Sequence, residues 1–105
     1  MIVQISSSSD FDNFIKSNKI AVVDFWAEWC GPCKVMEPII SRISMEMSGS
    51  VAFGAVNVDD NESLAMGQAI MSIPTMIVYS RGLEAERLIG SRSGDKLKQE
   101  LSKYL

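Results

Sequence analysis

The stretch Ile20–Cys33, IAVVDFWAEWCGPC, decides the fold of this 105-residue chain. Its first eight residues, Ile20 to Ala27, have the β-branched and aromatic content of a strand buried on both faces, interrupted by one carboxylate, Asp24. Gly31-Pro32 breaks that pattern and suits the first turn of a helix, where a missing N–H costs little. Both of the chain's cysteines, Cys30 and Cys33, fall at this strand-to-helix junction. A central strand feeding straight into a helix is the first half of a parallel crossover unit.

Toward the C-terminus, Met36, Ile39, Ile40, Ile43 and Met47 recur with helical spacing as far as Ser48-Gly49, which predicts a helix of about four turns with Pro38 inside it as a kink. Val51 to Val58 reads as the second buried strand of the crossover, closed by Asp59-Asp60-Asn61, and Glu62 to Ala69 makes a short helix. Another strand, Thr75 to Tyr79, follows Pro74, and Arg81-Gly82 is short enough to return it as an antiparallel hairpin over Glu84 to Gly90. Leu97, Leu101 and Leu105 mark a last helix at i, i+4 and i+8. Toward the N-terminus, Ile2 to Ile5 is a short apolar run, and the serines at 6–9 can cap a helix beginning near Asp10, with Phe11, Phe14 and Ile15 on one face and Asn18-Lys19 at its end. The resulting order, β-α-β-α-β followed by α-β-β-α, has no linker or repeat to divide it. It predicts one α/β domain over residues 1–105, a mixed sheet sandwiched between helices.

Composition excludes several classes of function. With 47% apolar and 22% charged residues the chain is ordinary for a globular protein. Its net charge is −3, and the ten Lys and Arg residues are scattered rather than massed into a stripe, so nucleic acid is not an expected partner. No apolar run approaches the roughly 20 residues needed to cross a bilayer, so no membrane is expected either. The opening MIVQISSSSDF lacks the basic region, apolar segment and cleavage site of a secretory signal, which makes the cytoplasm the expected location. There is no histidine, so two cysteines are too few for a closed zinc site, and no metal is expected.

Cys30 stands where its sulfur would meet unpaired backbone N–H groups and the positive end of a helix dipole, and both favour a thiolate. A free thiol of pKa about 8.5 is only slightly ionised at neutral pH, and each unit of depression gives about tenfold more thiolate for roughly 1.4 kcal/mol. Cys33, three residues on, lies on the same helical face, close enough to attack a disulfide formed at Cys30. The expected asymmetry is an outward-facing Cys30 and a sheltered Cys33. Gly31 keeps bulk away from an approaching partner, and Lys34 adds a modest positive potential. The competing reading is a structural staple, but a bridge closing four residues is worth only about 2 kcal/mol on the chain-entropy model.

Asp24 shares a strand face with Val22 and Trp26, where an ionised carboxylate is costly unless neutralised or hydrogen-bonded, so its pKa is expected to be raised. Just beneath the helix start, it could accept and return the proton of Cys33. The alternative is a buried polar group satisfied by backbone or water.

With WCGPCK after an apolar strand, Pro38 in the following helix, Ile73-Pro74-Thr75 opening a later strand and Gly82 and Gly90 beyond it, the chain resembles the thioredoxin family over essentially its whole length. That resemblance implies a thioredoxin fold, a central mixed five-stranded sheet flanked by four helices. It also implies a monomeric protein-disulfide reductase: Cys30 attacks a client disulfide, Cys33 resolves, and a thioredoxin reductase restores the dithiol with electrons usually drawn from NADPH. No bound cofactor is implied beyond the Cys30–Cys33 disulfide/dithiol. Pro74 matches the family's cis proline beside the dithiol, with the Ile73 backbone pairing to an extended client segment, and Trp29, Gly31, Pro32 and Gly90 match its docking surface. Met71 is a further candidate contact, Met36 and Met47 read as core, and Trp26 reads as core and outside the site. Three positions depart from the family pattern. Ala55 stands where a lysine beside the buried aspartate is common, which removes a charge partner from Asp24, and Gln68 and Met71 replace a common aromatic and a common basic residue.

Two other functions fit the same residues: an oxidase or isomerase, whose family members commonly have histidine where this chain has Pro32, and a docking or assembly module that uses the Trp29 and Pro74 surface without redox turnover.

Overall fold

A computed structural model describes all 105 residues. They run β1 (Ile2–Gln4), α1 (Ser8–Ser17), β2 (Ile20–Trp26), α2 (Gly31–Glu46), β3 (Ala52–Asn57), α3 (Glu62–Gly67), β4 (Thr75–Ser80), β5 (Leu83–Ile89) and α4 (Gly94–Ser102). The five strands form one sheet in the order β1-β3-β2-β4-β5, parallel from β1 through β3 to β2 and antiparallel from β2 through β4 to β5. This is the mixed five-stranded sheet with four helices expected of a thioredoxin fold.

β2 is the middle strand, and its alternation splits the core in two. Ile20 and Val22 pack with Met36, Ile43, Leu97 and Leu101 beneath α2 and α4, whereas Ala21, Val23 and Phe25 pack with Phe11 and Phe14 beneath α1. Asp24 therefore points to the α2 side. Its register neighbours are Ala55 on β3 and Met76 on β4, neither of which carries a charge. Close packing on the other side explains Gly54: a Cβ there would stand 2.7 Å from Ile5 Cδ1 and 3.0 Å from the Phe14 ring.

The element boundaries follow local chemistry. Ser7 caps α1 by accepting the N–H of Asp10 at 3.0 Å, so the helix begins two residues before the expected start. Ile5 lies past the end of β1 but stays buried, its N–H donating to the Ala55 carbonyl at 2.9 Å. Pro38 stands inside α2, which continues to Glu46. Arg81 and Gly82 both have positive φ, +53° and +85°, the mirror-image turn that matches strand twist in a two-residue hairpin.

One element ends sooner than its leucine spacing predicts. α4 stops at Ser102, and Leu105 is 64% exposed rather than the third apolar position of the helix. Tyr104 takes the packing role instead: it lies against the α2-side core, and its hydroxyl donates to Glu86 on β5. No helix is long and apolar enough to cross a membrane.

Candidate active site

The site is built where β2 hands the chain to α2. Cys30 is the N-cap of α2, with extended backbone and its Sγ accepting the N–H of Cys33 at 3.1 Å. Pro32 occupies the first turn, where no intrahelical acceptor is available to an N–H. Cys30 and Cys33 are joined as a disulfide, their Cα atoms 5.2 Å apart.

The expected contrast between an outward Cys30 and a sheltered Cys33 is absent from this oxidised pair. Both residues are buried, 4% and 5% exposed, in a cluster with Ala27, with Trp26, Val58 and Ile73 packed around them. Gly31 and Pro32 are the exposed residues between the two sulfurs. Trp26 also differs from expectation. As the last residue of β2 it lies on the Asp24 face, and there it packs against the cysteine cluster and lines the cavity beside it.

That cavity, about 600 Å³, brings Asp24 and Cys33 together with Glu37 and Ala55. Asp24 is half-buried as a residue, yet its Oδ1 is shut away from water and has no hydrogen-bond partner. Burial, followed by the nearby negative charge of Glu37, pushes its carboxyl up from 3.8 to about 7. The raised value agrees with the sequence reading, and the pairing of Asp24 with Ala55 shows why no lysine offsets it. Glu37 was not among the sequence candidates. Its signal was nonetheless present, because position 37 lies four residues after Cys33 and so one turn along the same helical face.

Ile73, half-buried, packs against the cysteine cluster, and the Ile73–Pro74 peptide bond is cis. Gly90, at φ +88°, donates its N–H to the Pro74 carbonyl at 2.9 Å, so the end of β5 is tied to the start of β4. Trp29 is 71% exposed, and its indole N–H donates to Asp59 Oδ2 at 2.8 Å. Met71 is 93% exposed, while Met36 and Met47 are buried in the core. Gln68 has a structural partner, accepting the hydroxyl of the buried Tyr79 at 2.9 Å. Beside it Arg87, another residue that spacing did not single out, donates to the carbonyls of Gln68 and Ala69 and so anchors the segment leading to Ile73. No group of three or more His, Cys, Asp or Glu side chains is placed to hold a metal ion.

The family model that matches the chain is Thioredoxin, over residues 2–103. A thioredoxin of Mycoplasma pneumoniae is 38% identical over 97% of this chain and 99% of its own length. A bifunctional thioredoxin reductase/thioredoxin of Mycobacterium leprae is 35% identical over 95% of this chain, which spans only 22% of that longer protein. Among solved structures, a Plasmodium falciparum thioredoxin superposes with a TM-score of 0.92 at 35% identity, covering 99% of this chain and 100% of that one. With a dithiol/disulfide pair at the head of α2 in the family's active-site position, this chain belongs to the thioredoxin family and is a thiol-disulfide oxidoreductase that works by dithiol–disulfide exchange.

Proposed function

We propose that the chain is a cytoplasmic reductase of protein disulfides, acting as one domain over residues 1–105, with Cys30 as nucleophile, Cys33 as resolving thiol and Asp24 as proton acceptor. The observation that carries the assignment of roles is the N-cap geometry of Cys30. Its sulfur receives a backbone N–H at the positive end of a 16-residue helix, the environment that favours a thiolate, whereas Cys33 lies inside the helix beside the Asp24 cavity.

The exchange balances as two displacements. The Cys30 thiolate attacks one sulfur of a client disulfide, and the other leaves as a thiolate with the electron pair of the broken bond. The Cys33 thiol then gives its proton to the Asp24 carboxylate and attacks Cys30, closing the Cys30–Cys33 disulfide and releasing the second client thiolate. Two electrons have passed to the client. Near neutral pH Asp24 is divided between its acid and its base forms, which suits a group that must take a proton and return it.

Around the sulfurs, Trp29, Gly31, Pro32, Ile73, Pro74 and Gly90 form the docking surface for an extended client segment. A thioredoxin reductase restores the dithiol, a reading supported by the relative named as a bifunctional thioredoxin reductase/thioredoxin. The test is a pair of substitutions. Cys33→Ser should accumulate mixed disulfides through Cys30, visible as higher-mass species that collapse on reduction, and Cys30→Ser should abolish both trapping and insulin-disulfide reduction. Trapping through Cys33 in the Cys30→Ser variant, with none in Cys33→Ser, reverses the assigned roles.

A further inference from the structure

Cys33 and Glu37 stand at i and i+4 on α2, and both line the cavity that holds Asp24. Asp24 Oδ1 has no partner, and the residue opposite it on β3, Ala55, is too short to reach it. With one of its oxygens shut away from water, Asp24 still has to give up its proton before a second turnover. Of the groups around it, Gln4 on β1, Ala55 on β3 and Met76 on β4 cannot titrate. Glu28 and Lys34 also line the cavity, but of the three only Glu37 stands one turn beyond Cys33 on the same face of α2, where its charge raises the Asp24 carboxyl, and the residue is itself exposed. Glu37 therefore faces the buried carboxyl on one side and solvent on the other.

We propose that Glu37 is the residue through which Asp24 exchanges its proton with solvent, a positioning residue for ring closure in place of a charge partner on β3. The inference rests on the reading of Asp24 as the proton acceptor for Cys33. As the Cys33 S–H breaks, its proton goes to Asp24, and the Cys33 sulfur forms its bond to Cys30 while the client sulfur leaves with the electron pair. The proton then moves from Asp24 to the Glu37 carboxylate across the cavity, and from Glu37 to water. No other oxidant, reductant or ion takes part.

The test follows ring closure directly. Mixing the dithiol protein with an aryl disulfide that releases a coloured thiolate gives attack and closure as two phases, and the second is recorded across pH. In Glu37→Gln the midpoint of that phase should fall by about half a pH unit or more, because removing a nearby negative charge favours the Asp24 carboxylate. Glu37→Asp, which keeps the charge, should return it toward the parent value. Glu37→Ala should close severalfold more slowly at low buffer and recover severalfold with added acetate, whereas the parent should not respond. An unmoved midpoint in Glu37→Gln overturns the inference, and so does a shifted midpoint with no acetate response, which reduces Glu37 to a static charge. Asp24→Asn separates the two levels. If it leaves the closure profile intact, the relay reading of Asp24 fails, and if it flattens the profile while the Glu37 variants behave as the parent, only the Glu37 path fails.

Discussion

Asp24 is held against its own charge by the fold. With its carboxyl pushed from 3.8 to about 7, the folded chain binds a proton more tightly than the unfolded chain does. Between those two pH values stability must fall as pH rises, since the unfolded state binds fewer protons. The loss is complete above about 7 and absent below 3.8, and a shift of this size corresponds to about 4 kcal/mol as an upper figure. The oxidised Asp24→Asn variant should therefore gain stability over the parent as pH is raised from 4 to 8, by up to about 4 kcal/mol, read from urea midpoints at each pH. A constant offset between the two proteins across that range would show that the carboxyl does not titrate in the folded state. On the proposed role of Asp24 as proton acceptor, the same substitution should slow turnover, so activity and stability should move in opposite directions, as expected where a destabilising group is retained for its chemistry.

At the scale of elements, the β4–β5 hairpin contains an avoidable cost. Arg81 adopts φ +53° in a turn that favours asparagine or glycine at that position, and no hydrogen bond or ion pair of its side chain offsets the strain. Arg81→Asn should raise stability by about 0.5–1 kcal/mol with reductase activity unchanged, measured by urea unfolding, and a loss of stability would show that the arginine stem contributes packing. The turn itself was legible because Arg81-Gly82 sits between two apolar-rich runs, just as β2, α2 and β3 were legible from a period that changes from buried strand to helix and back. Leu105 misled because periodicity alone does not register that Tyr104 has a better partner in Glu86 on β5. Trp26 misled for a related reason: an aromatic at the end of a buried strand reads as core, and although alternation puts it on the Asp24 face, only the packing shows that it reaches the cysteines at the head of α2. Arg87 was invisible because its carbonyl acceptors lie 18 and 19 residues away in sequence. Glu37 was within reach, one turn from Cys33, but its place beside Asp24 needed the knowledge that a cavity opens between them next to Ala55.

The whole molecule is tied together by the strand that begins the site. β2 sends Ile20 and Val22 into one core and Ala21, Val23 and Phe25 into the other, so neither core has a complete wall without it. The disulfide hangs from the end of that strand, with Ile73 from the approach to β4 packed against it. Loosening either core should then be felt at the site, and the chain should unfold in one transition. Ile77 allows a direct check, being fully buried in the α1-side core and in register with Val23 across the sheet. Ile77→Val removes one methylene from that core and should destabilise the oxidised protein by about 1 kcal/mol. Far-ultraviolet dichroism reports all the helices and strands, whereas tryptophan fluorescence reports only Trp26 and Trp29, both at the site. The two urea transitions should coincide in the parent and shift together in Ile77→Val. A variant whose dichroism midpoint falls while its fluorescence midpoint stays fixed would mean that the α1 side melts apart from the site, and that β2 does not couple the two cores.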